Sequence, residues 1–540
     1  MHHSQNSSTT TDETTSVLIV GGSLVGLATA LFLGCHGVPF ILVERHVGTA
    51  IHPRLASLTA RTMELLRPTG VEPAIRRVEP LFPRDSRVLV LESLVGQEFD
   101  RVMEDMSAYF TSASPAAGSL IAQDVLEPIL RARATALGGD VRYGTELLDF
   151  AQDDAGVTAT VRERVSGARR TIRARYLVAA DGGRSGIRTR LGIGQHGAGT
   201  LAHVISILFD ADIGALFERR GALMCIIAND TLQGGFLTPY PRSGPRPAVF
   251  RLDVAYDPAR ETPDDYMPER CLALIRAAVG LPDLVARIHT VLPWEMAARV
   301  ADRFQAENVF LVGDAARIQP PTGALGGNTG IAEAHNLAWK LAMVLRGQAG
   351  PRLLETYDAE RRPIADLTVE QVARLSQERQ AHSADAITVD TLTVNMGYRY
   401  PTGALIAEPS PGDPPLLRHP AAWQGLPGTR APHVVLRRDG ALLSTLDLFG
   451  QRFVLLPGSA GQAWSAAAGH VARQLSIPLE IHPIGSTLVD SEGRFGEAYG
   501  MRDTGAVLVR PDGIVAWRAP ALIADPEQTL RQVFARLLYR

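Results

Sequence analysis

Three short glycine-rich stretches, each with a carboxylate in or near it, carry most of the chemistry legible in this chain. The first is Gly21-Gly22-Ser23-Leu24-Val25-Gly26, with Glu44 eighteen residues beyond Gly26. Gly21 permits a tight turn, Gly26 lets a following helix pack closely on a sheet, and the helix start offers N–H groups to a pyrophosphate. Glu44 is placed to hydrogen-bond ribose hydroxyls. Ser23 stands where this dinucleotide fingerprint usually has its second glycine, and it is small enough to leave room for phosphates. The second stretch is Asp181-Gly182-Gly183-Arg184-Ser185-Gly186-Ile187-Arg188. Asp-Gly alone signals a turn, and Arg184 and Arg188 suit either a phosphate-bearing ligand or solvent. The third runs Gly313-Asp314-Ala315-Ala316, then Pro320-Pro321-Thr322-Gly323, then Gly326-Gly327-Asn328-Thr329-Gly330. A strand ending in Gly-Asp puts a carboxylate at the carboxyl edge of a sheet, where ligands of open α/β sheets bind. Five glycines around one acid between 313 and 330 exceed what turns alone require.

The elements that must position these residues follow from pattern. Residues 17–20 read as a buried strand, 24–36 as a helix and 40–43 as a second strand, which together make the start of a doubly wound parallel sheet. Residues 61–66 and 125–137 are helical by period, and two alternating runs between 157 and 178 flank a hairpin turn at Ser166-Gly167. From 196 to 294 short strands and Pro/Gly turns indicate an antiparallel sheet. A buried strand at 309–312 and a long helix at 330–345 then complete the interrupted first domain. The expected division is a disordered lead-in at 1–15, a first domain at 16–195 and 295–400, a middle domain at 196–294, a linker at 401–432 and a final unit at 433–540. The β-α-β-β-β-α order of that unit resembles a thioredoxin fold without its dithiol. Its last helix has Asp525 as N-cap and Pro526 at the first position.

Composition narrows the function classes. The chain has 540 residues, 46% hydrophobic and 21% charged, with a net charge of −3, so no basic excess points to nucleic acid. Lys340 is the only lysine, which removes lysine chemistry everywhere else. Cys35, Cys225 and Cys271 form no CxxC pair, which argues against a disulfide framework or zinc and fits a reducing cytoplasm. Residues 17–43 lack charge, but glycines break them into short elements and Asp12 and Glu13 precede them, so neither a membrane span nor a signal peptide is expected.

Taken in this order and spacing, the three stretches resemble the class A flavoprotein monooxygenases of the para-hydroxybenzoate hydroxylase type, over about 15–395. Arg54 in His52-Pro53-Arg54, Arg61 in Arg61-Thr62-Met63-Glu64, Gln123 before Asp124, and Trp294-Glu295-Met296 are similar too. So is Glu333-Ala334-His335-Asn336-Leu337-Ala338-Trp339-Lys340, where Glu333 replaces a more usual Asp. The segment 508–518 resembles bacterial aromatic polyketide hydroxylases that carry a thioredoxin-like tail.

The resemblance implies an FAD-binding doubly wound domain of the glutathione-reductase type, an antiparallel-sheet substrate domain and a thioredoxin-like C-terminal domain. It implies FAD, with NADPH or NADH as transient reductant and O2 as co-substrate, since only one nucleotide fingerprint is present. Gly21, Ser23 and Gly26 would then line the FAD pyrophosphate, and Glu44 and Arg45 the adenosine ribose. Arg54 and Gln123 would approach the ribityl and ring region, Asp314 would bind a ribityl hydroxyl, and Gly327 and Asn328 would face the flavin pyrimidine edge, with Gly313 and Pro321 also among the cofactor-binding residues. Asp181 and Gly182 would support FAD and passing nicotinamide. Phe236, Tyr240 and Trp294 are candidate substrate contacts, with Tyr240 and Arg379 as candidate catalytic groups; sheet core and a solvated helix face are their plainer readings. The implied reaction is oxygenation of a polycyclic phenol through a flavin C4a-hydroperoxide. Hydroxylation and oxygen insertion beside a ketone, or ring opening, are not separable in the sequence. A non-catalytic flavoprotein is disfavoured by the three intact motifs, and a halogenase by the placement of Lys340 and the lack of a Trp-x-Trp segment. The expected partner is a small aromatic molecule, not nucleic acid, membrane or metal, and the chain is expected as a monomer or homodimer.

Overall fold

The computed structural model describes residues 13–51, 57–78, 87–103, 113–240, 249–380, 391–409 and 412–540. Residues 1–12 of the expected lead-in, and Arg54, lie outside the described residues. The first elements are β1 (Glu13–Val20), α1 (Leu24–Cys35), β2 (Phe40–Glu44), α2 (Ala60–Leu66), α3 (Glu72–Val78), β3 (Arg87–Leu91), β4 (Glu98–Met103) and α4 (Gln123–Ala136). There follow β5 (Asp140–Tyr143), β6 (Thr145–Asp153), β7 (Gly156–Glu163), β8 (Arg169–Ala179), α5 (Gly186–Arg190), β9 (Gln195–Ala211), α6 (Gly214–Arg220), β10 (Ala222–Ala228), β11 (Gln233–Tyr240) and β12 (Val249–Tyr256). The next are α7 (Pro268–Val279), β13 (Ala286–Ala301), β14 (Gln305–Ala306), β15 (Val309–Leu311), β16 (Arg317–Ile318), α8 (Leu325–Leu345), α9 (Thr356–Gln380) and α10 (Thr391–Met396). The last part holds β17 (Val435–Arg438), β18 (Ala441–Ser444), β19 (Phe453–Pro457), α11 (Gln462–Leu475), β20 (Leu479–Ile481), α12 (Phe495–Tyr499), β21 (Ala506–Val509), β22 (Val515–Ala519) and α13 (Pro526–Leu537).

The first sheet runs β14-β15-β8-β1-β2-β5, with β6 and β7 attached beside β8. Its centre is parallel: Val17–Val20 of β1 pairs with β2 on one side and β8 on the other, and β15 pairs with β8. These strands are buried on both faces, which is why they read as continuous apolar runs. Helix α1 buries ten of its twelve residues, so it is a core helix, not an amphipathic one. β1 begins at Glu13, earlier than the apolar run suggests, because Glu13–Thr15 pair with Ile172–Ala174. That polar, half-exposed extension has no hydrophobic signature. Helix α8 begins at Leu325 and not at 330, so Gly326, Gly327 and Asn328 lie in its first turn. Low helix propensity of glycine hid that start.

The second sheet has the order β16-β13-β9-β12-β11-β10-β3-β4 and is antiparallel except where β10 meets β3. Strands β3 and β4 reach it from inside the stretch read as the first domain. One face packs on α7 through Ile205, Ile207, Phe209, Phe250 and Leu252. Alternation sends Ser206, Leu208, Arg251 and Asp253 to the opposite face.

The last unit is a four-stranded sheet, β20-β19-β21-β22, flanked by α11 and α13. Asp525 caps α13 by accepting from the Gln528 N–H at 2.9 Å. Its core is continuous with α8: Trp339 and Met343 pack among Phe453, Leu508 and Phe534. Among the described residues no helix is long and apolar enough to cross a membrane.

Candidate active site

The glycine-rich stretches converge on the turn between β1 and α1. A Cβ on Gly21 would lie 2.2 Å from the Ala180 carbonyl oxygen at the end of β8, and one on Gly26 would lie 1.8 Å from the Gly21 oxygen. Gly21 also has φ +109°, a conformation glycine alone adopts without strain. A Cβ on Gly313 would meet Val25 at 2.9 Å, and one on Gly330 would meet it at 2.6 Å. Gly21 and Gly26 are therefore required by close approach of backbones and Gly313 and Gly330 by the Val25 side chain, and these approaches bring the ends of β1, β8 and β15 to one rim. That rim is the carboxyl edge of the parallel strands.

Ser23 is the N-cap of α1 but makes no capping bond. Its Oγ instead donates to Glu127 Oε1 at 2.7 Å and accepts from Gln123 Nε2 at 2.9 Å. Gln123 Nε2 also donates to Glu127 Oε1 at 2.6 Å, and the Ala50 N–H donates to Glu127 Oε2 at 2.7 Å. With Ser23 drawn aside, the first N–H groups of α1 have no intrahelical partner. Glu44 at the end of β2 accepts from the Gly22 and His46 N–H groups at 2.7 and 2.8 Å. Arg45 beside it is exposed. The Tyr143 hydroxyl donates to the Gly22 oxygen at 2.6 Å, and burial raises its pKa.

Across the rim, Asp181 Oδ2 accepts from the Ile187 N–H at 3.2 Å while Oδ1 is buried without a partner. Burial raises the pKa of this carboxyl. Gly182 has φ +84° and open space where a side chain would stand. Asp314 is exposed between buried Gly313 and Ala315, and Pro321 is exposed as well. The loop that carries Asp314 is fixed from behind by Glu333. Its carboxylate accepts from the Gly313 N–H at 2.8 Å and from Arg317 Nε at 2.7 Å, and both side chains of this pair are fully buried. Arg317 also donates to the Gly326 oxygen at 2.9 Å, tying the loop to the first turn of α8. Asn328 spends its side chain on the opposite wall. Its Oδ1 accepts from the Thr59 N–H (3.0 Å) and Thr62 Oγ1 (2.6 Å), and its Nδ2 donates to the Ser57 and Ala324 oxygens. The N–H groups of 325–328 are those an α-helix leaves unpaired, and Gly326 has almost nothing near its missing side chain. The groove along this rim, edged by helix N–H groups, carboxylates placed to accept from ribose hydroxyls and the one unpartnered Asp181 oxygen, fits FAD.

Facing this groove is the polar side of the second sheet. Tyr240 is buried with Ala122, Leu208 and Val249 at the start of α4. Its hydroxyl accepts from Arg251 Nη1 at 2.8 Å, and Arg251 pairs with Asp253 at 3.0 Å. Ser206 Oγ donates to Asp253 Oδ1 and accepts from Trp294 Nε1 at 3.1 Å. Burial pushes the Tyr240 phenol up to about 12 and raises the Asp253 carboxyl. Tyr240 therefore stays protonated at neutral pH and is a donor, not a base. Phe236, on the same face, is 36% exposed.

The FAD binding domain family matches residues 14–372, and the aromatic-ring hydroxylase C-terminal family matches 424–540. The chain belongs to the FAD-dependent aromatic-ring hydroxylases. It is an FAD-dependent monooxygenase. It is 42% identical to the 4-methyl-5-nitrocatechol 5-monooxygenase of a Burkholderia species over 536 residues, 97% of each chain. It is 42% identical to aklavinone 12-hydroxylase RdmE of Streptomyces purpurascens over 537 residues, 97% of this chain and 99% of that one. The structure of aklavinone-11 hydroxylase with FAD and aklavinone superposes with a TM-score of 0.92 at 41% identity, covering 98% of this chain and 100% of that one.

In this hydroxylase the structure brings Gly21, Ser23, Gly26, Glu44, Gln123, Asp181, Gly182, Gly313, Asp314, Gly327 and Asn328 to one rim. The side chain of Arg379, near the end of α9, lies outside the described residues. Three groups escaped the sequence reading. Glu127 stands one helical turn after Gln123, a spacing that puts both on one face. Arg317, the buried partner of the Glu333 that the resemblance marks, and the Arg251–Asp253 pair lie on elements whose pattern gave only the fold.

Proposed function

We propose that this hydroxylase uses NADPH or NADH and O2 to add one oxygen atom, as a hydroxyl, to a phenolic polycyclic aromatic of the polyketide kind. The observation that supports this best is the hydrogen-bonded face of Tyr240, Arg251, Asp253, Ser206 and Trp294 set against the FAD groove. Aromatic substrates need stacking surface and a few fixed polar groups, and Phe236 and Trp294 provide the former. Bound FAD would supply the redox chemistry, relaying two electrons from the nicotinamide to O2, of which one atom enters the substrate and the other leaves as water.

The chain's own residues do the rest. Gly21, Ser23 and Gly26 would hold the pyrophosphate, Glu44 and Arg45 the ribose, and Arg54, Gln123, Gly313 and Asp314 the ribityl region. Pro321, Gly327 and Asn328 would border the pyrimidine edge, where the α8 start favours negative charge. Asp181 and Gly182 would serve FAD and the nicotinamide. The Tyr240 O–H would donate to a substrate oxygen and fix the ring, with Arg251 holding that hydroxyl in place. Arg379 would polarise the phenol. The middle sheet closes over the groove and excludes water.

The test is NADPH and NADH oxidation by the purified yellow protein with and without polycyclic phenols, under labelled O2. A substrate-stimulated rate and a product carrying one labelled oxygen as a hydroxyl support the reading. Oxygen inserted beside a ketone would replace hydroxylation with ring insertion, and stimulation by monocyclic catechols alone would replace the polycyclic substrate class.

A further inference from the structure

A small, partly open cavity lies between the starts of α2 and α8 on one side and α9 and α10 on the other. The space open to the centre of a water-sized body is about 20 Å³, and roughly 10–15 Å³ of such space holds one water. That is room for one water or one monatomic ion.

Two guanidiniums line it, Arg61 and Arg361, and none of its lining residues is acidic. Arg361 is 1% exposed. Its Nη1 donates to the Tyr400 hydroxyl at 3.0 Å, and its guanidinium lies 5.5 Å from the Tyr398 ring centre. Among the described residues no carboxylate pairs with it. Arg61 pairs with Glu64 at 2.9 Å, but Glu64 also serves Arg430. So Arg61 and Arg430 share one carboxylate, and Arg361 has only the more distant charge of Glu333, which is itself paired with Arg317. The Nε–H groups of Arg61 and Arg361 are both buried without an acceptor. Two of the hydroxyls that line it are already committed: Thr62 donates to Asn328 Oδ1 and Thr368 to the Ile364 oxygen, each at 2.6 Å. What is unsatisfied in this region is donors and positive charge. Water would have to donate as well as accept, whereas an anion only accepts, and a buried cation is strongly unfavourable without a counter-charge.

We propose that this cavity is a binding site for one halide ion, held by the guanidiniums of Arg61 and Arg361. In chloride-containing solution the ion would be chloride, and it would brace the start of α2 against α8 and α9.

Bromide is the probe. Crystals of the FAD-loaded protein grown without halide and soaked in bromide should show an anomalous peak between the two guanidiniums, saturating below about 100 mM. In solution, the melting temperature should be on the order of 1–2 °C higher in chloride than in gluconate of equal ionic strength. Arg361→Met should abolish that difference. Bromide density absent at saturation, or present only in molar soaks, would overturn the site. So would an Arg361→Met protein with an unchanged chloride response. Should that variant fail to fold, the bromide density in the unaltered protein decides alone.

Discussion

Replacing Glu360 by glutamine removes one negative charge from a buried cluster that joins the FAD domain to the C-terminal domain. The Glu360 carboxylate is fully buried and accepts from Arg510 Nη1 and Nη2 at 2.7 and 2.8 Å and from Lys340 Nζ at 2.8 Å. It also accepts from Asn336 Nδ2 at 2.7 Å and the Ala404 N–H at 2.8 Å. Asp512 is the other anion, paired with Arg510 and with Asn336 Nδ2. Burial alone would raise the Glu360 pKa, but Arg510 and Lys340 outweigh it and draw the carboxyl down from 4.5 to about 2. Such a fall corresponds to stability on the order of 3 kcal/mol. Removing one partner of a buried pair costs about 3–5 kcal/mol by an independent route. Glu360→Gln should therefore lose about 3–4 kcal/mol at pH 7.

The pH dependence sharpens this. Because the folded pKa lies below the unfolded one, the contribution is complete above pH 4.5 and disappears as pH falls through about 2. Urea unfolding followed by tryptophan fluorescence should show a constant gap between wild type and Glu360→Gln from pH 5 to 7 that narrows below pH 4.5. Lys340→Met with Glu360→Gln should recover part of the loss, since it removes a cation and an anion together. Burial sets Lys340 down to about 8 despite Glu360, so its own charge is unfavourable in the fold. A loss under about 1 kcal/mol at pH 7, a gap indifferent to pH, or a double variant worse than the single one would refute the reasoning.

The groove and the opposite face give three further predictions. Gly26→Ala forces a Cβ to 1.8 Å from the Gly21 oxygen, so the turn must open; FAD affinity should fall by at least ~30-fold, about 2 kcal/mol, measured by flavin fluorescence. Asp314→Ala removes the exposed carboxylate after β15 and should weaken FAD about 10- to 150-fold, at about 1.5–3 kcal/mol for one charged hydrogen bond, measured by flavin fluorescence. Tyr240→Phe should leave FAD affinity unaltered and slow substrate-dependent turnover about 10- to 100-fold, with no change in pH optimum, because this phenol does not ionise near neutrality.

How far the sequence carries depends on the range over which each feature is encoded. The β1-α1-β2 unit was legible because its signal is local: a charge-free run, two obligatory glycines and an acid at fixed spacing. Gly313–Asp314 and the helix after it were legible for the same reason, although glycine content displaced the expected start of α8 from 325 to 330. Arg251 and Asp253 were legible in principle, being two apart and so on one face of a strand. The same spacing describes any solvated strand face, and only the contact with Tyr240 and α4 shows that this face is buried.

The charge clusters were not legible, and their separation in the chain explains why. Glu360 meets Arg510 from 150 residues away and Arg430 meets Glu64 from 366. No periodicity, cap or turn records such a pairing. In sequence, Glu360 reads as one more charged residue in a helix, and Arg510 as the start of an Arg-Pro-Asp-Gly turn. Yet the turn's Asp512 oxygen accepts from Arg61 at 3.1 Å, next to Thr62, which holds Asn328. A mechanical path thus runs from the C-terminal hairpin to the first turn of α8. It gives the C-terminal domain, which has no cysteine, a role that needs no redox chemistry: it closes the buried charge balance behind the FAD groove. A domain retained only for bulk packing would have been served by an apolar contact, as α8 already makes through Trp339 and Phe453. Buried ionic partners can fix register and orientation, and the element these ones reach is α8, whose first turn holds Gly326, Gly327 and Asn328.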